Sequence, residues 1–313
     1  VDSITDAGTY TVTATVTSTN ANYNVEETVT GTVTVKPMEV TLVWGSLELT
    51  YKGVQQIPTA TVTGMLDGHT CQVTVTTEDE AKVVGTYTAK VVSLSNSNYT
   101  LKQTETGITS YDIIKKDLTI IANPHTIYYG AEAANNGVEY VGFENGETYS
   151  VLTGTLAYDY EYNQYDNVGE YLITPKGLSA QNYEINYVDG TLTVIARPLN
   201  NDDVTITLGT TTYIYDGSEF KPTVTVMLNG THEVAASNYT VTYTDNVNAG
   251  TATVTLTAKD DTDYTGTAST TFTINSRSIS TATIEISNPE DIIYTGTAIT
   301  PSYTITVNGR TLT

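Results

Sequence analysis

The chain has 313 residues, a formal net charge of -22, 24 tyrosines and one cysteine, Cys71. An acidic excess of this size repels phosphate backbones and anionic lipid headgroups. We therefore expect neither nucleic acid nor a membrane surface as a direct binding partner. A single cysteine excludes an intrachain disulfide, and no apolar run reaches the roughly 18 residues that a membrane-spanning helix needs.

Taken in chain order, the sequence repeats itself at a nearly constant interval. Basic residues at Lys36, Lys116, Arg197 and Arg277 lie 80, 81 and 80 positions apart. Such a period predicts one small domain copied in tandem. We expect three complete repeats between two incomplete ones, with the boundaries 1–35, 36–115, 116–196, 197–276 and 277–313.

Three short signals recur within the repeats. The first is an aromatic-x-Gly turn, at Tyr51-Lys52-Gly53, Tyr128-Tyr129-Gly130, Tyr215-Asp216-Gly217 and Tyr294-Thr295-Gly296. The second is a Gly-x-aromatic element 14 or 15 residues before the tyrosine of an Asn/Asp-Tyr pair, at Gly8 with Tyr23, Gly85 with Tyr99, Gly169 with Tyr183 and Gly250 with Tyr264. The third is a hairpin-type pair, at Asp67-Gly68, Asn145-Gly146, Asn229-Gly230 and Asn308-Gly309. These pairs favour the positive φ angles of tight hairpins.

The third complete repeat shows the clearest alternation of apolar residues and threonine. The apolar positions are Val204, Ile206 and Leu208, then Val224, Val226 and Leu228, Tyr239, Val241 and Tyr243, Ala252, Val254, Leu256 and Ala258, and Phe272 and Ile274. A period of two predicts half-buried strands. We therefore predict tandem immunoglobulin-like antiparallel β-sandwich domains. Since no Gly/Ser-rich linker separates the repeats, we expect them to form an elongated rod.

These motifs resemble the MBG-type repeats of bacterial cell-surface proteins, whose variants are named for their YGX or YDG turns. The resemblance covers nearly the whole chain and rests on the aromatic-x-Gly turns, on Gly85-Thr86-Tyr87 and Gly169-Glu170-Tyr171, and on Asn98-Tyr99 and Asn182-Tyr183. The third repeat departs from the pattern, because Ala252 stands where Tyr10, Tyr87 and Tyr171 stand elsewhere. The resemblance implies an extracellular, mostly β, multidomain protein and carries over no catalytic residue.

Most of the repeated tyrosines are interpreted as core residues, because the repeats contain little Phe or Trp. The exception is a segment of the second complete repeat with Tyr158, Tyr160, Tyr162 and Tyr165 between acidic residues. Alternation places the first three on one face, either as an exposed stripe or as a buried strand. An exposed stripe would stack on sugar rings, so these four tyrosines are the candidate ligand-binding residues.

We expect no metal, no cofactor and no catalytic residue. The acidic groups Glu78-Asp79-Glu80, Asp202-Asp203 and Asp260-Asp261-Thr262-Asp263 lack calcium-loop spacing and are interpreted as solvated turns. His69, His125 and His232 do not align between repeats, as a shared metal or catalytic site would require. Nucleophile-elbow, phosphate-loop and zinc-protease motifs are missing from the sequence, so an enzyme is not expected.

The two incomplete repeats complement each other. Residues 1–35 match the second half of a repeat and residues 277–313 match the first half. Because half of a sandwich leaves strand edges unpaired, we expect the tail of one molecule to pair with the head of another by strand complementation. The alternative, which is compatible with it, is that these residues are a piece of a longer protein whose borders do not follow those of the repeats. The expected partners are therefore neighbouring copies or adjoining repeats.

Together these features predict a non-catalytic stalk or spacer of a bacterial surface adhesin or fibre, with its export signal and anchor outside these residues. The alternative is a module that binds carbohydrates or host ligands through the tyrosine-rich segment. A glycan array separates the two, since a spacer gives no signal.

Overall fold

The structure is a computed structural model that describes residues 3–23, 26–77, 80–287, 293–307 and 309–312. The described residues form strands and turns with two short 3-10 helices, Tyr149–Val151 and Ala236–Asn238. Neither helix is long and apolar enough to cross a membrane. The predicted all-β fold is confirmed.

The strands follow the repeats of the sequence. Up to position 115 they are β1 (Gly8–Thr17), β2 (Glu26–Val35), β3 (Met38–Trp44), β4 (Glu48–Thr50), β5 (Ala60–Thr63), β6 (Val73–Thr77), β7 (Gly85–Leu94), β8 (Tyr99–Leu101) and β9 (Ile108–Ile114). In the second complete repeat they are β10 (Lys116–Ala122), β11 (His125–Tyr128), β12 (Val138–Val141), β13 (Thr153–Tyr160), β14 (Gly169–Ser179), β15 (Tyr183–Val188) and β16 (Gly190–Ile195).

The third complete repeat contains β17 (Arg197–Pro198), β18 (Val204–Leu208), β19 (Thr212–Ile214), β20 (Val224–Leu228), β21 (His232–Glu233), β22 (Tyr239–Thr244), β23 (Gly250–Ala258), β24 (Tyr264–Thr265) and β25 (Thr267–Asn275). The last incomplete repeat contains β26 (Thr283–Ile286), β27 (Tyr303–Val307) and β28 (Arg310–Leu312). Every strand that the alternation predicts in the third repeat is present, and its apolar positions are the less exposed ones.

Each complete repeat builds its strands into small sheets. The first has a three-stranded sheet, β5-β3-β8, and a four-stranded sheet, β4-β9-β7-β6. The third has β18-β20-β21 and β19-β25-β23-β22, with a short β17-β24 pair. The second repeats the three-stranded arrangement as β12-β10-β15, and its β13 pairs antiparallel with β14.

Antiparallel pairing predominates, as predicted, but parallel pairs also recur, such as β4 with β9 and β19 with β25. The first strand of each complete repeat runs parallel to the strand that opens at the Asn/Asp-Tyr pair, with the partners Met38↔Tyr99, Lys116↔Tyr183 and Arg197↔Tyr264. Alternation cannot reveal this, because side chains alternate in parallel and antiparallel strands alike. Met38, and not Lys36, is therefore the structural equivalent of Lys116 and Arg197.

The chain divides into two compact units. The first comprises Val1–His125, Asn135–Glu161 and Leu172–Thr191, and the second comprises Thr126–Ala134, Tyr162–Tyr171 and Leu192–Thr313. Within the first unit, Val40, Val62 and Tyr99 of the three-stranded sheet pack against Val73 and Leu94 of the four-stranded sheet, as in a sandwich.

The core of the first unit also crosses a repeat boundary. One cluster of buried residues holds Tyr51, Tyr111 and Ile113 of the first complete repeat together with Leu118 and Tyr183 of the second. The predicted tandem sandwich domains imply a separate core for each repeat, but the first two complete repeats share this one. The five repeat boundaries given in the sequence analysis remain predictions.

Two of the predicted tight turns have positive φ angles at both positions, whereas at Asp67-Gly68 only the glycine does, with a φ of 77°. Asn145 and Asn229 have φ angles of 48° and 53°, and the glycines that follow have 75° and 70°. Asn229-Gly230 connects the paired strands β20 and β21. Asn308 lies outside the described residues.

Candidate functional site

The recurring side chains of the repeats meet where one repeat touches the next, and we call each such place a joint. The first joint brings Ala7 to Asn98, and the second brings Tyr51 and Val84 to Tyr183 and its neighbours; both lie in the first unit. The third joint, which brings Tyr129 and Val168 to Tyr264 and its neighbours, lies in the second unit.

The residue before each buried tyrosine makes the first joint contact. The side-chain oxygen of Asn98, Asn182 or Asp263 accepts a hydrogen bond from a backbone N–H of the preceding repeat, with distances of 2.5 Å to Ala7, 3.0 Å to Val84 and 2.9 Å to Val168. Each donor directly precedes the glycine of a Gly-x-aromatic element. The two halves of the second sequence signal therefore bind each other, but from different repeats.

The second contact is a pair of tyrosine rings. The ring centroids of Tyr51 and Tyr183 lie 5.4 Å apart, and the two ring planes form an angle of 82°. For Tyr129 and Tyr264 the centroid distance is 5.4 Å and the interplanar angle is 70°. These are edge-to-face geometries, in which the positive rim of one ring meets the negative face of the other.

In the second complete repeat, the tyrosine that makes this contact stands one position later in the motif than in the other repeats. The backbone N–H of Tyr51 donates to Ile114, that of Tyr129 to Ile195 and that of Tyr215 to Asn275. Tyr129 is thus the equivalent of Tyr51 and Tyr215, although the aromatic-x-Gly pattern aligns Tyr128 with them.

The third contact joins the aromatic-x-Gly turn of one repeat to the Asn-Gly turn of the next. The amide of Asn145 donates to the carbonyl of Gly53 (3.2 Å), and that of Asn229 donates to the carbonyl of Gly130 (2.9 Å). Both glycines have positive φ angles, 68° and 78°. A Cβ atom added at Gly53 would lie 2.8 Å from the Cβ of Asn145. One added at Gly130 would lie 2.5 Å from the Cδ2 of Leu228. The glycine serves both the turn and the close approach of the neighbouring repeat.

A carboxylate organises the second joint. Glu147 accepts hydrogen bonds from the hydroxyls of both Tyr51 (2.5 Å) and Tyr183. Burial, followed by the hydrogen bond to this carboxylate, raises the pKa of Tyr51 to about 12, and the same causes raise the pKa of Tyr183 further. Both phenols therefore remain protonated donors at physiological pH. Lys116 forms an ion pair with Glu144 beside them.

A buried arginine organises the third joint. Arg197 is 3% exposed, and its Nε donates to the carbonyl of Tyr129 (2.7 Å). Its Nη1 donates to Asn201 (3.0 Å) and to the carboxylate of Asp203 (2.6 Å). The hydroxyl of Tyr264 is buried with no hydrogen-bond partner among the described residues, and burial raises its pKa.

The described acidic groups lie largely in exposed turns, as expected, but two of their residues also make structural contacts. Asp203 pairs with Arg197, and Asp263 accepts the backbone hydrogen bond of Val168. Glu78 and Asp79 lie outside the described residues. Within the described ranges, no group of three or more His, Cys, Asp and Glu residues is arranged to hold a metal ion.

Two of the histidines contact tyrosine rings. The Nδ1 of His69 lies 2.6 Å from the hydroxyl of Tyr99, and the ring of His232 stacks on Tyr165 at 4.0 Å and 10°. These contacts give His69 and His232 packing roles at the ends of their repeats.

The four candidate ligand-binding tyrosines divide between the two units, with Tyr158 and Tyr160 in the first and Tyr162 and Tyr165 in the second. Tyr158 and Tyr160 lie on one face of β13, half-buried, with their rings 6.4 Å apart and nearly parallel. The prediction that Tyr162 shares this face is wrong, because β13 ends at Tyr160. Tyr162 is buried and donates to the carbonyl of Ala131, and Tyr165 contacts Tyr129 and His232 of the third joint.

Comparisons with known proteins agree with the sequence resemblance. Residues 118–193 match the family "MBG domain (YGX type)", which confirms the predicted resemblance for the second complete repeat. A search of curated proteins gave no match.

Among solved structures, the chain is similar to the extracellular domain of protocadherin GammaB4 (8% identity, 84% of this chain and 54% of that chain, TM-score 0.23). It is also similar to an endo-fucoidan hydrolase of glycoside hydrolase family 107 (12% identity, 76% and 44%, TM-score 0.18). The chain spans about half of the length of these proteins. Both TM-scores are too low to support an argument about fold or function.

Proposed function

We propose that this chain is a non-catalytic spacer of an extracellular bacterial surface protein, forming part of the stalk of an adhesin or fibre. The match to the MBG domain family supports the surface setting. The observation that carries the proposal is the recurrence of one set of contacts at successive joints, between residues in equivalent positions.

The chemistry of the joints suits a spacer. The second and third joints use backbone groups, tyrosine rings and Asn or Asp side chains of two consecutive repeats. Contacts of this kind couple the stability of one repeat to that of its neighbour, as nearest-neighbour terms do in repeat proteins. Such coupling lets a chain of small domains transmit force without opening at its junctions.

Calorimetry of the whole chain tests this proposal. If the joints couple the repeats, a single joint substitution such as Tyr129→Ala lowers the unfolding temperature of both repeats that the joint connects. The matched control is Tyr149→Ala, which removes a tyrosine that is 69% exposed and outside the joints described above. Independent melting of the repeats in the unchanged protein would contradict the proposal.

The carbohydrate-binding alternative now rests on Tyr158 and Tyr160 alone. Their half-buried rings, with centroids 6.4 Å apart and an interplanar angle of 29°, are the feature that favours it. A glycan array probed with the whole chain gives no signal for a spacer. A signal that disappears in Tyr160→Ala would replace the spacer proposal with the binding one.

The proposal includes the strand complementation that the incomplete repeats predict. In the first unit, the β1-β2 hairpin exposes Val12, Val16, Val29 and Val33. In the second unit, the β26-β27-β28 sheet exposes Ile284, Ile286 and Tyr303. In the third repeat, the corresponding strands bury their apolar residues in a sandwich core.

A further inference from the structure

In two of the complete repeats, the strand that ends the repeat lies parallel to a strand near its beginning. In the first complete repeat β9 is the last strand, and its residues 112–114 lie opposite β4, Glu48–Thr50. In the third complete repeat β25 is the last strand, and its residues 273–275 lie opposite β19, Thr212–Ile214. We call the pair β4-β9 the first clamp and the pair β19-β25 the second clamp.

Backbone hydrogen bonds hold the first clamp at both of its ends. The N–H of Asp112 donates to the carbonyl of Leu47 (2.8 Å), and the N–H of Tyr51 donates to the carbonyl of Ile114 (2.9 Å). Ile113 lies between them and is 1% exposed. Since this burial keeps water from competing for the backbone groups, the hydrogen bonds are stronger than they would be in solvent.

The second clamp has the same construction. The N–H of Thr273 donates to the carbonyl of Thr211, and the N–H of Tyr215 donates to the carbonyl of Asn275, both at 2.9 Å. Between them, Ile274 is 1% exposed. The same two hydrogen bonds thus recur in two repeats, although only the tyrosine is the same residue type in both.

The direction of the chain decides how a clamp is loaded. The chain enters β4 at the first residue of that strand and leaves the repeat after the last residue of β9. Because the two strands are parallel, these two points lie at opposite ends of the pair. Tension along the chain therefore slides one strand along the other and loads all of their hydrogen bonds together.

An antiparallel pair of the same repeat gives the opposite case. β6 lies at the edge of its sheet and is antiparallel to β7. At the open end of this pair, the N–H of Ser95 donates to the carbonyl of Gln72 (2.9 Å). Tension between these two residues peels β6 from the sheet and breaks its hydrogen bonds one after another. The first complete repeat therefore has one direction that resists force and one that yields to it.

Each clamp ends at a tyrosine that also contacts the next repeat. Tyr51 packs on Tyr183 and donates to Glu147. The carbonyl of Tyr215 accepts a hydrogen bond from the Nε of Arg277 at 2.7 Å. The end of each clamp is therefore fixed to the repeat that the chain enters next.

We propose that the first and second clamps bear tensile load, so that the repeats that contain them resist stretching along the chain. The proposal rests on the spacer function proposed above and deepens it, since it names the hydrogen bonds that carry the load. Rupture of a clamp is the step that unfolds its repeat under force. A surface protein whose two ends are held by different bodies experiences such a load.

Optical tweezers applied to the whole chain in a Cys71→Ser background test the direction of resistance. One protein carries its handles at Ser46→Cys and Lys115→Cys, which load the first clamp along its strands. The other carries them at Gln72→Cys and Ser95→Cys, which peel β6; all four positions are exposed. The first protein is expected to need about threefold more force to unfold the repeat, because three paired positions share the load. Equal forces in the two directions overturn the proposal.

A proline in β9 tests the hydrogen bonds themselves. Asp112→Pro removes the N–H that donates to Leu47. It is expected to lower the force along the clamp by roughly a quarter or more, because the evenly spaced bonds of a parallel pair share the load. The force that peels β6 should stay unchanged. The matched control is Ser110→Pro, two residues earlier on the same edge of β9 but outside the clamp. A control that lowers the force as much as Asp112→Pro overturns the proposal.

The two handle positions test the clamp without any substitution in its strands, so this test stands even where a proline prevents folding, which circular dichroism detects. Forced unfolding measures the barrier to unfolding, whereas calorimetry of the joints measures equilibrium stability. A clamp that fails the force test therefore leaves the spacer proposal intact. Repeats that melt independently would contradict the coupling at the joints without changing the force that a clamp bears.

Discussion

The second and third joints use the same backbone contacts but opposite side-chain chemistry. At the second, the carboxylate of Glu147 receives two tyrosine hydroxyls; at the third, the guanidinium of Arg197 donates to the turn carbonyl of Tyr129. In both, the ring pair keeps a centroid distance of 5.4 Å. The backbone and ring contacts therefore define a joint, whereas the charged residue that binds its polar groups differs from one joint to the other.

The difference predicts that the third joint depends most on its charged residue. Arg197→Ala removes a buried side chain and three hydrogen bonds, and leaves the carbonyl of Tyr129 without its donor. We expect a loss of about 3 kcal/mol in unfolding free energy, measured by denaturant titration. Arg277→Ala, which removes the same bond to a turn carbonyl at a more exposed site, should cost clearly less. Equal losses would contradict the comparison.

The glycine of the turn gives the next largest effect. Gly130→Ala places a Cβ 2.5 Å from Leu228 at a φ of 78°, so it adds a clash to backbone strain. We expect a loss of about 2 kcal/mol. Gly230→Ala is the matched control, because its φ is 70° but no atom lies within 4 Å of the added Cβ. Calorimetry should show the larger temperature shift for Gly130→Ala, and identical shifts would mean that strain alone matters.

The carboxylate of the second joint predicts a response to alkaline pH. Folding raises the pKa of Tyr51 from 10.0 to about 12, so the folded protein holds this proton more tightly than the unfolded one. The stability from this group is fully present below pH 10 and is lost as the pH rises towards 12. Unfolding titrations between these values measure the loss.

Tyr51→Phe sharpens this test. It removes the hydrogen bond to Glu147 and should cost about 1 kcal/mol at neutral pH. It should also make the alkaline loss of stability shallower than in the unchanged protein. Parallel alkaline curves for the two proteins would remove Tyr51 as the cause.

The smallest expected effect concerns the amide of the hairpin turn. Asn229→Asp keeps the turn, because Asp tolerates the φ of 53°, but it removes the donor to the carbonyl of Gly130. We expect a loss of about 1 kcal/mol or less, measured by thermal unfolding. Asn229→Gly, which also keeps the turn and lacks the donor, should give a similar loss. A stabilised Asp variant would show that this contact contributes nothing.

Sequence reasoning found the motifs but not their purpose. Gly130 and Asn229 were each predicted as local turn residues, and both turns are present. That they bind each other could not be predicted, because they lie 99 positions apart. A signal for Glu147 was nevertheless available: His69, Glu147 and Arg310 each follow an Asn/Asp-Gly pair, and each contacts a tyrosine ring or an aromatic-x-Gly turn.

The candidate tyrosines show the same limit. Alternation correctly placed Tyr158 and Tyr160 on one face, since both lie within β13. It failed at Tyr162, because β13 ends at Tyr160 although its partner β14 extends from Ile173 on to Gly169, and alternation does not mark where a strand leaves its partner.

By itself the sequence determined the all-strand class, the repeat and the turns, because period-two alternation and the φ preferences of Gly and Asn act over a few neighbouring residues. The tertiary structure decided which turns touch, which tyrosines are buried and that parallel pairs recur between strands of a repeat. These depend on contacts between residues 61 to 135 positions apart, from Met38 with Tyr99 to Tyr129 with Tyr264. The entropy cost of closing such long loops is offset only when the whole joint forms. A pattern within a few neighbouring residues therefore cannot predict these contacts.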